Sequence, residues 1–482
     1  MLSLANPSPR KLRLLPLIAA TYFMVSGGPY GIEDILGGAG YGWAIVILLV
    51  LPFLWSLPTT LMIGELASAI PADGGFYIWV RRALGPFWGY QESWLSLSAS
   101  IFDMALYPSI FVLYLGKFSP ALTADWRGYA WSLAVVLLCS LWNLRGARAV
   151  GEGSIGLFIL LLAPFAIFVV LGFVKAIMLH PVLQWSSSAP LHVAGDGIPA
   201  TFSTAVLVAM WNYMGWDNAS TVAQEVEAPQ RNYPRAMISA AILTAITYIL
   251  PLAAMALAGL SAASFSTGDW ADAARQIGGS GFVGAALGVA VIAGGCINGL
   301  GMFNALSMSY TRIPMAMADD GLLPAVLARR NSRAVPWVSV LFCSLAWALA
   351  LKLPFERLIS IDLILYGTSL ILEFVALAAL RIREPDLVRP FRAGNFVMAC
   401  LIGVGPTLLI GYALFASRSE KLGQPNTAFA NVSALGFASV IAVLGPPLYA
   451  LSAARRRSLS ASEPSVRVSL ESAGPTALEP DA

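Results

Sequence analysis

The chain has 482 residues, 58% of them hydrophobic and only 11% charged, with a mean hydropathy of +0.74. That balance excludes an ordinary water-soluble globular protein and reads as an integral membrane protein with the lipid bilayer as its medium. A net charge of +3, carried in short clusters, gives no basis for a nucleic-acid partner.

Apolar stretches of spanning length recur at about residues 14–36, 42–66, 87–115, 128–144, 154–176, 198–220, 236–260, 282–310, 336–351, 357–380, 396–416 and 430–452. They predict an all-α protein with twelve transmembrane helices behind a short N-terminal segment, 1–13. The tail 455–482, rich in Ser, Glu and Pro, reads as a disordered extension. Arg10-Lys11-Leu12-Arg13 precedes an apolar run without a small-residue cleavage site, so it reads as a flank and not as a signal peptide. With the N-terminus in the cytoplasm, twenty-one of the twenty-nine Lys and Arg fall on the cytoplasmic side. The positive-inside bias therefore predicts a cell (plasma or inner) membrane protein with both termini cytoplasmic.

In the first stretch the apolar pattern breaks at Ser26-Gly27-Gly28-Pro29-Tyr30-Gly31, and Glu33 and Asp34 follow at once. Glycines weaken a helix, Pro29 lacks an N–H, and two carboxylates at membrane depth are costly, so the break must line a polar cavity. A discontinuous helix that holds a solute is the expectation. Glu33 and Asp34 read either as members of a cation pathway or as caps of the second half-helix, where the dipole favours acids.

In the third stretch Glu92, Ser96, Ser100, Asp103 and Tyr107 share one helical face. Cys139, Cys296, Cys343 and Cys400 stand singly and read as core hydrophobes, with no metal spacing and no cofactor expected. His180 and His192, in the loop after the fifth stretch, read as ordinary loop histidines. The sixth stretch is interrupted at Trp211-Asn212-Tyr213-Met214-Gly215-Trp216-Asp217-Asn218, five spans after the first break. Matching breaks point to two five-helix halves, about 14–176 and 198–380, of opposite topology, with the site between them. The core is then 14–380, and 381–454 holds two accessory helices.

Gly284 with Gly288 and Gly295 with Gly299 read as helix-packing contacts. In the tenth stretch Asp362, Tyr366, Ser369 and Glu373 share a face; Asp362, near the start of its span, reads more readily as solvated. No Lys or Arg occupies the middle of any stretch. Buried acids must be protonated, paired or matched by a cationic ligand, and a cationic amine with a transported proton meets that demand. Asp103, Asp217 and Glu373 are the leading candidates for substrate or proton handling, with Glu92 even between function and local bonding. Trp211, Trp216, Tyr107 and Tyr366 read as packing residues or as faces for an ammonium group.

Val25-Ser26-Gly27-Gly28-Pro29-Tyr30-Gly31-Ile32-Glu33-Asp34 resembles the first-helix signature of the polyamine:proton symporter branch of the amino acid–polyamine–organocation superfamily. Glu65-Leu66-Ala67 through Pro71, Gly74-Gly75, Tyr77 and Gly85-Pro86-Phe87-Trp88-Gly89 resemble its second-to-third connection. Glu225-Val226-Glu227, Tyr233-Pro234-Arg235-Ala236 and Met317-Ala318 with Gly321-Leu322-Leu323-Pro324 resemble later junctions. The resemblance implies a LeuT-like 5+5 inverted repeat and alternating access driven by an ion gradient. Its substrate-binding set would be Ser26, Gly27, Gly28, Tyr30, Gly31, Asp103, Tyr107, Trp211, Gly215, Trp216, Asp217, Tyr366 and Glu373. Its proton or cation pathway would use Glu33, Asp34, Glu92, Asp103, Asp217 and Glu373.

In amino-acid carriers of the superfamily the first break receives a carboxylate on backbone N–H groups, and Pro29 removes one such donor. A polyamine or other organic cation is thus the expected substrate. An amino-acid permease or exchanger is the alternative in class, and a non-transporting nutrient sensor or a channel the alternative outside it. Some proton-coupled relatives carry a lysine within the fifth helix; here Lys175 stands at its end, which departs from that pattern. Proton coupling is preferred to sodium, whose ligands would include Ser307 or Ser309. A nucleophile–base pair is missing from the spans, so an enzyme is not expected.

Overall fold

The computed structural model describes residues 11–183, 200–263, 265–351, 355–419 and 432–462. Most of segment 1–13, His192 and the tail beyond residue 462 lie outside them. The described backbone is helical, with two isolated bridges, Leu12 with Val226 and Asp73 with Val222. Helices satisfy their own backbone groups, which hydrocarbon demands.

Helix α1 (Leu14–Val25) stops at the first break, and α2 (Glu33–Leu51) resumes beyond it. Gly40, at φ 68° and ψ 171°, bends α2 after its first turns. A π-turn at Pro52–Ser56 leads into α3 (Leu57–Ala69), then α4 (Gly75–Leu84), α5 (Pro86–Phe118), α6 (Trp126–Asn143) and α7 (Ala147–Leu179). Helix α8 (Ala200–Asn212) ends at the second break, and a 3-10 turn, Trp216–Thr221, follows. Beyond it run α9 (Pro229–Leu257), α10 (Trp270–Gly278), α11 (Phe282–Tyr310), α12 (Arg312–Asp319), α13 (Trp337–Ala350) and α14 (Phe355–Arg383). The chain continues through α15 (Phe396–Leu401), α16 (Val404–Ala416) and α17 (Ala434–Ser462).

Eight helical stretches among the described residues are long and apolar enough to cross a membrane, and α1 and α13 are shorter apolar helices. The apolar window of α5 is 72% buried and that of α17 only 17%, so α5 is central and α17 peripheral. Helix α17 runs on to Ser462, past the end expected at residue 454, because Ala, Arg and Leu beyond it are good helix formers.

Helix α5 packs along α11 and α14, and α1 lies against α7, α9 and α11. Small residues set these distances. A β-carbon on Gly295 would enter the Tyr114 ring, and one on Gly299 would meet the Tyr107 carbonyl. Gly284 presses on the Gly279 and Arg275 carbonyls and Gly288 on Arg275, so all four expected glycines serve packing. Away from this centre, Glu65 on α3 is buried, accepts from Arg381 Nε at 2.9 Å and the Ala393 N–H at 2.8 Å, and forms an ion pair with Arg389 at 3.2 Å. That clamp fastens the end of α14 to α3. Two guanidinium groups and a backbone N–H offset the desolvation of this buried carboxylate, and removing either arginine would leave it poorly compensated.

Candidate functional site

The first break begins where Ser26 turns extended, and Gly28 (φ 70°) and Gly31 (φ 91°) take left-handed conformations that a β-carbon would strain. The freed backbone groups find new partners. The Gly28 N–H donates to Ser26 Oγ at 3.1 Å and the Gly31 N–H to Glu33 at 2.5 Å. The Trp270 indole donates to the Pro29 carbonyl at 2.7 Å, and the Asn212 amide to the Gly31 carbonyl at 3.0 Å. Tyr30 turns away to donate to the Val291 carbonyl at 2.6 Å. Gly27 abuts the Asn298 side chain, whose amide is buried with no hydrogen-bond partner among the described residues.

The two acids after the break are occupied locally. Glu33 also accepts from the Tyr114 hydroxyl and from the Gly268 N–H at 3.2 Å. Asp34 accepts the N–H and hydroxyl of Thr267 at 3.1 and 2.8 Å. Both acids stand in the first turn of α2, and their bonds run to Gly31, Tyr114, Gly268 and Thr267. Their donors lie more than 80 residues away in sequence for Glu33–Tyr114 and more than 230 for Asp34–Thr267, so no local pattern announced them.

The second break centres on Gly215 (φ 91°), whose Cα packs against the Met24 carbonyl. Its N–H donates to the Tyr366 hydroxyl at 3.0 Å, and that hydroxyl donates to Asp217 at 2.5 Å. The Trp216 indole caps the same unwound turn by donating to the Tyr213 carbonyl at 2.7 Å. Thus Tyr366 and Asp217 belong to one cluster, whereas Trp216 supports the backbone.

Asp103, on α5, accepts from Tyr107 at 2.6 Å, the Trp211 indole at 3.3 Å and Tyr310 at 3.4 Å. Tyr107 and Trp211 stack at 21° with centroids 6.2 Å apart. Glu92, fully buried, accepts from Ser96 at 2.8 Å and Ser93 at 3.2 Å. Glu373 is fully buried and neither carboxylate oxygen has a hydrogen-bond partner among the described residues.

Asp362 corrects the sequence reading. It is fully buried with both oxygens unpartnered, not solvated, because α14 starts at Phe355 and carries Asp362 inward beside Asp103 and Asp217. The neighbours of these acids are other acids, phenols and the Trp211 indole; among the described residues no lysine or arginine is one of them. Two ionised carboxylates about 6 Å apart at an effective dielectric near 20 repel by about 3 kcal/mol. Such a well favours cations or protons.

Other expectations sort out plainly. Ser309 is taken up by Asn218 at 2.8 Å and Thr221 at 3.1 Å, while the buried Ser307 hydroxyl has no partner among the described residues. Lys175 donates outward to the Gln276 carbonyl at 3.2 Å. Tyr310 and Asn298 carry no charge and no periodic signal, which is why sequence reasoning passed over them.

Both ends of the cluster are covered. At one, Trp270 and Thr267 hold the first break; at the other, Leu12 pairs with Glu225 and Glu227, and Gly74 N–H donates to the Thr221 carbonyl at 2.9 Å. There Asp73 accepts the Gln224 N–H at 3.0 Å, and burial, then the nearby Glu225 charge, pushes its carboxyl up to about 6. Arg312, buried, meets Glu225 at 2.9 Å.

Broken helices around a sealed, acid-lined centre suit solute passage and not bond chemistry. The amino acid permease family model matches residues 18–450. The chain belongs to that family. It is similar to the polyamine transporter RMV1 of Arabidopsis thaliana, 33% identical over 83% of this chain and 80% of the relative. It is likewise similar to the polyamine transporter PUT1 of Oryza sativa subsp. japonica, 34% identical over 85% and 75%. A shorter match, 33% over 38% of this chain, is to an uncharacterized transporter of Mycobacterium bovis. This permease is a multi-pass secondary transporter of a small molecule, not an enzyme.

Proposed function

We propose that the permease imports organic cations of the polyamine class across a cell membrane by alternating access, with protons as the coupling ion. The observation that carries this is the set of five buried carboxylates, Glu92, Asp103, Asp217, Asp362 and Glu373, with no basic side chain beside them among the described residues. A polyammonium ligand supplies the missing counter-charge, and protons supply it when the ligand leaves. The names of the relatives point the same way.

In this reading Tyr107, Trp211 and Tyr366 line the ammonium groups and Tyr310 orients Asp103. The backbone of Ser26, Gly27, Gly28 and Gly31 and the joint at Gly215 form the hinge beside them, with Trp216 and Tyr30 as supports. Glu33 and Asp34 hold the hinge through their bonds to Gly31, Tyr114, Gly268 and Thr267. The fold is a LeuT-like 5+5 inverted repeat of twelve passages, halves 14–176 and 198–380, with 381–454 accessory and both termini cytoplasmic. Of the two hydroxyls a sodium ion would use, Ser309 is engaged with Asn218 and Thr221, whereas buried Ser307 has no partner among the described residues, so this reading rests its choice of protons on the acids.

Reconstituted into liposomes, the permease should take up labelled spermidine when the outside is made acidic. Asp217→Asn should cut affinity by about a hundredfold to a thousandfold, as expected for a lost buried charge partner, and flatten the pH response of what remains. Uptake of neutral amino acids that survives this change, with no polyamine transport by the parent, would leave an ordinary amino-acid permease in its place.

A further inference from the structure

The five acids form a row, not a clump. Glu92 and Asp103 share a face of α5, and Glu373 and Asp362 share a face of α14; each pair is eleven positions apart, about 16 Å along a helix rising about 1.5 Å per residue. The two helices pack together, with Glu373 the electrostatic neighbour of Glu92 and Asp362 that of Asp103. Asp217, held by Tyr366 between the two ends, interacts with all four. Each end also presents one buried carboxylate without any hydrogen-bond partner among the described residues, Asp362 at one and Glu373 at the other.

We propose that Glu92 and Glu373 form a second ammonium subsite, and that the separation of the two acidic pairs makes the permease select linear polyamines by length. This rests on the organic-cation reading above. An extended aliphatic chain advances about 1.25 Å per bond, so a four-carbon diamine spans about 6 Å and a linear tetraamine about 16 Å. The diamine covers one acidic pair and Asp217. The tetraamine reaches both pairs and places inner ammonium groups beside Asp217.

The test is competition against labelled spermidine by putrescine, spermine and 1,12-diaminododecane, which has the span of spermine without its inner amines. In the parent, spermine should compete best and the long diamine better than putrescine. Glu373→Gln should weaken spermine and the long diamine about thirtyfold to a hundredfold, the scale of a lost buried charge partner, and putrescine by no more than about threefold. Asp362→Asn should weaken all three. Glu92→Gln provides the same comparison if Glu373→Gln does not reach the membrane. Equal shifts for short and long amines, or none, in a parent that transports polyamines would overturn the length rule alone. A parent that transports no polyamine overturns the organic-cation reading and this subsite with it.

Discussion

The Tyr366 hydroxyl accepts the Gly215 N–H and donates to Asp217, so one phenol fixes both an unwound backbone and the acid beside it. Tyr310 makes a longer contact, 3.4 Å, to an Asp103 that has two other donors. A hydrogen bond to a charged group contributes about 1.5–3 kcal/mol, so Tyr366→Phe should raise the KM for uptake about tenfold to a hundredfold. Tyr310→Phe should change it by less than about threefold, since Asp103 keeps its better bonds. Equal KM values for the two variants in liposome uptake would show that Asp217 does not need its phenol.

At the scale of elements, both helix breaks could be read from the sequence because Gly, Pro and charge interrupt an apolar run in a way no lipid-facing helix tolerates. The faces of α5 and α14 were equally readable, since 3.6-residue spacing alone aligns Glu92 with Asp103 and Asp362 with Glu373. The bend at Gly40 was not, being one glycine among several in Gly37-Gly38-Ala39-Gly40. Nor could spacing tell the hydrogen-bonded Glu33 from Glu373, which has no hydrogen-bond partner among the described residues, because Tyr114 and Gly268 reach Glu33 from distant parts of the chain. The joint between the breaks follows from this packing: Gly215 lies on the Met24 carbonyl, and Asn212 donates to Gly31. Gly215→Ala adds a left-handed strain of about 1–2 kcal/mol and a collision with that carbonyl, so uptake should fall by more than tenfold while the protein still reaches the membrane. Gly156, on α7 with open space beyond it, is the control: Gly156→Ala should transport normally. Normal uptake by the Gly215 variant would detach the second break from the transport step.

Taken whole, the molecule is closed at both ends around its acids, and one closure carries a titratable group. The Asp73 carboxyl, at about 6, lies above its ordinary 3.8, so its protonated form is the one the closed contact favours. Its contribution to closure is complete only below its ordinary 3.8 and is lost as pH rises from there through about 6. Backbone hydrogen exchange over residues 71–76, corrected for intrinsic chemistry, should therefore speed up severalfold between pH 5 and 7, and Asp73→Asn should remove the increase. Parallel pH slopes in the two proteins would rule Asp73 out as the cause.

The acid row has an electrical consequence as well. In the organic-cation reading proposed above, the ionised acids of the row cancel the charge of a bound polycation, so turning the loaded carrier across the membrane moves little net charge. The work done by voltage, about 2.3 kcal/mol per charge per 100 mV, falls instead on the emptied carrier. An inside-negative potential pushes those bare carboxylates outward, so the membrane potential speeds the return stroke and each proton the acids pick up on the way lessens its grip.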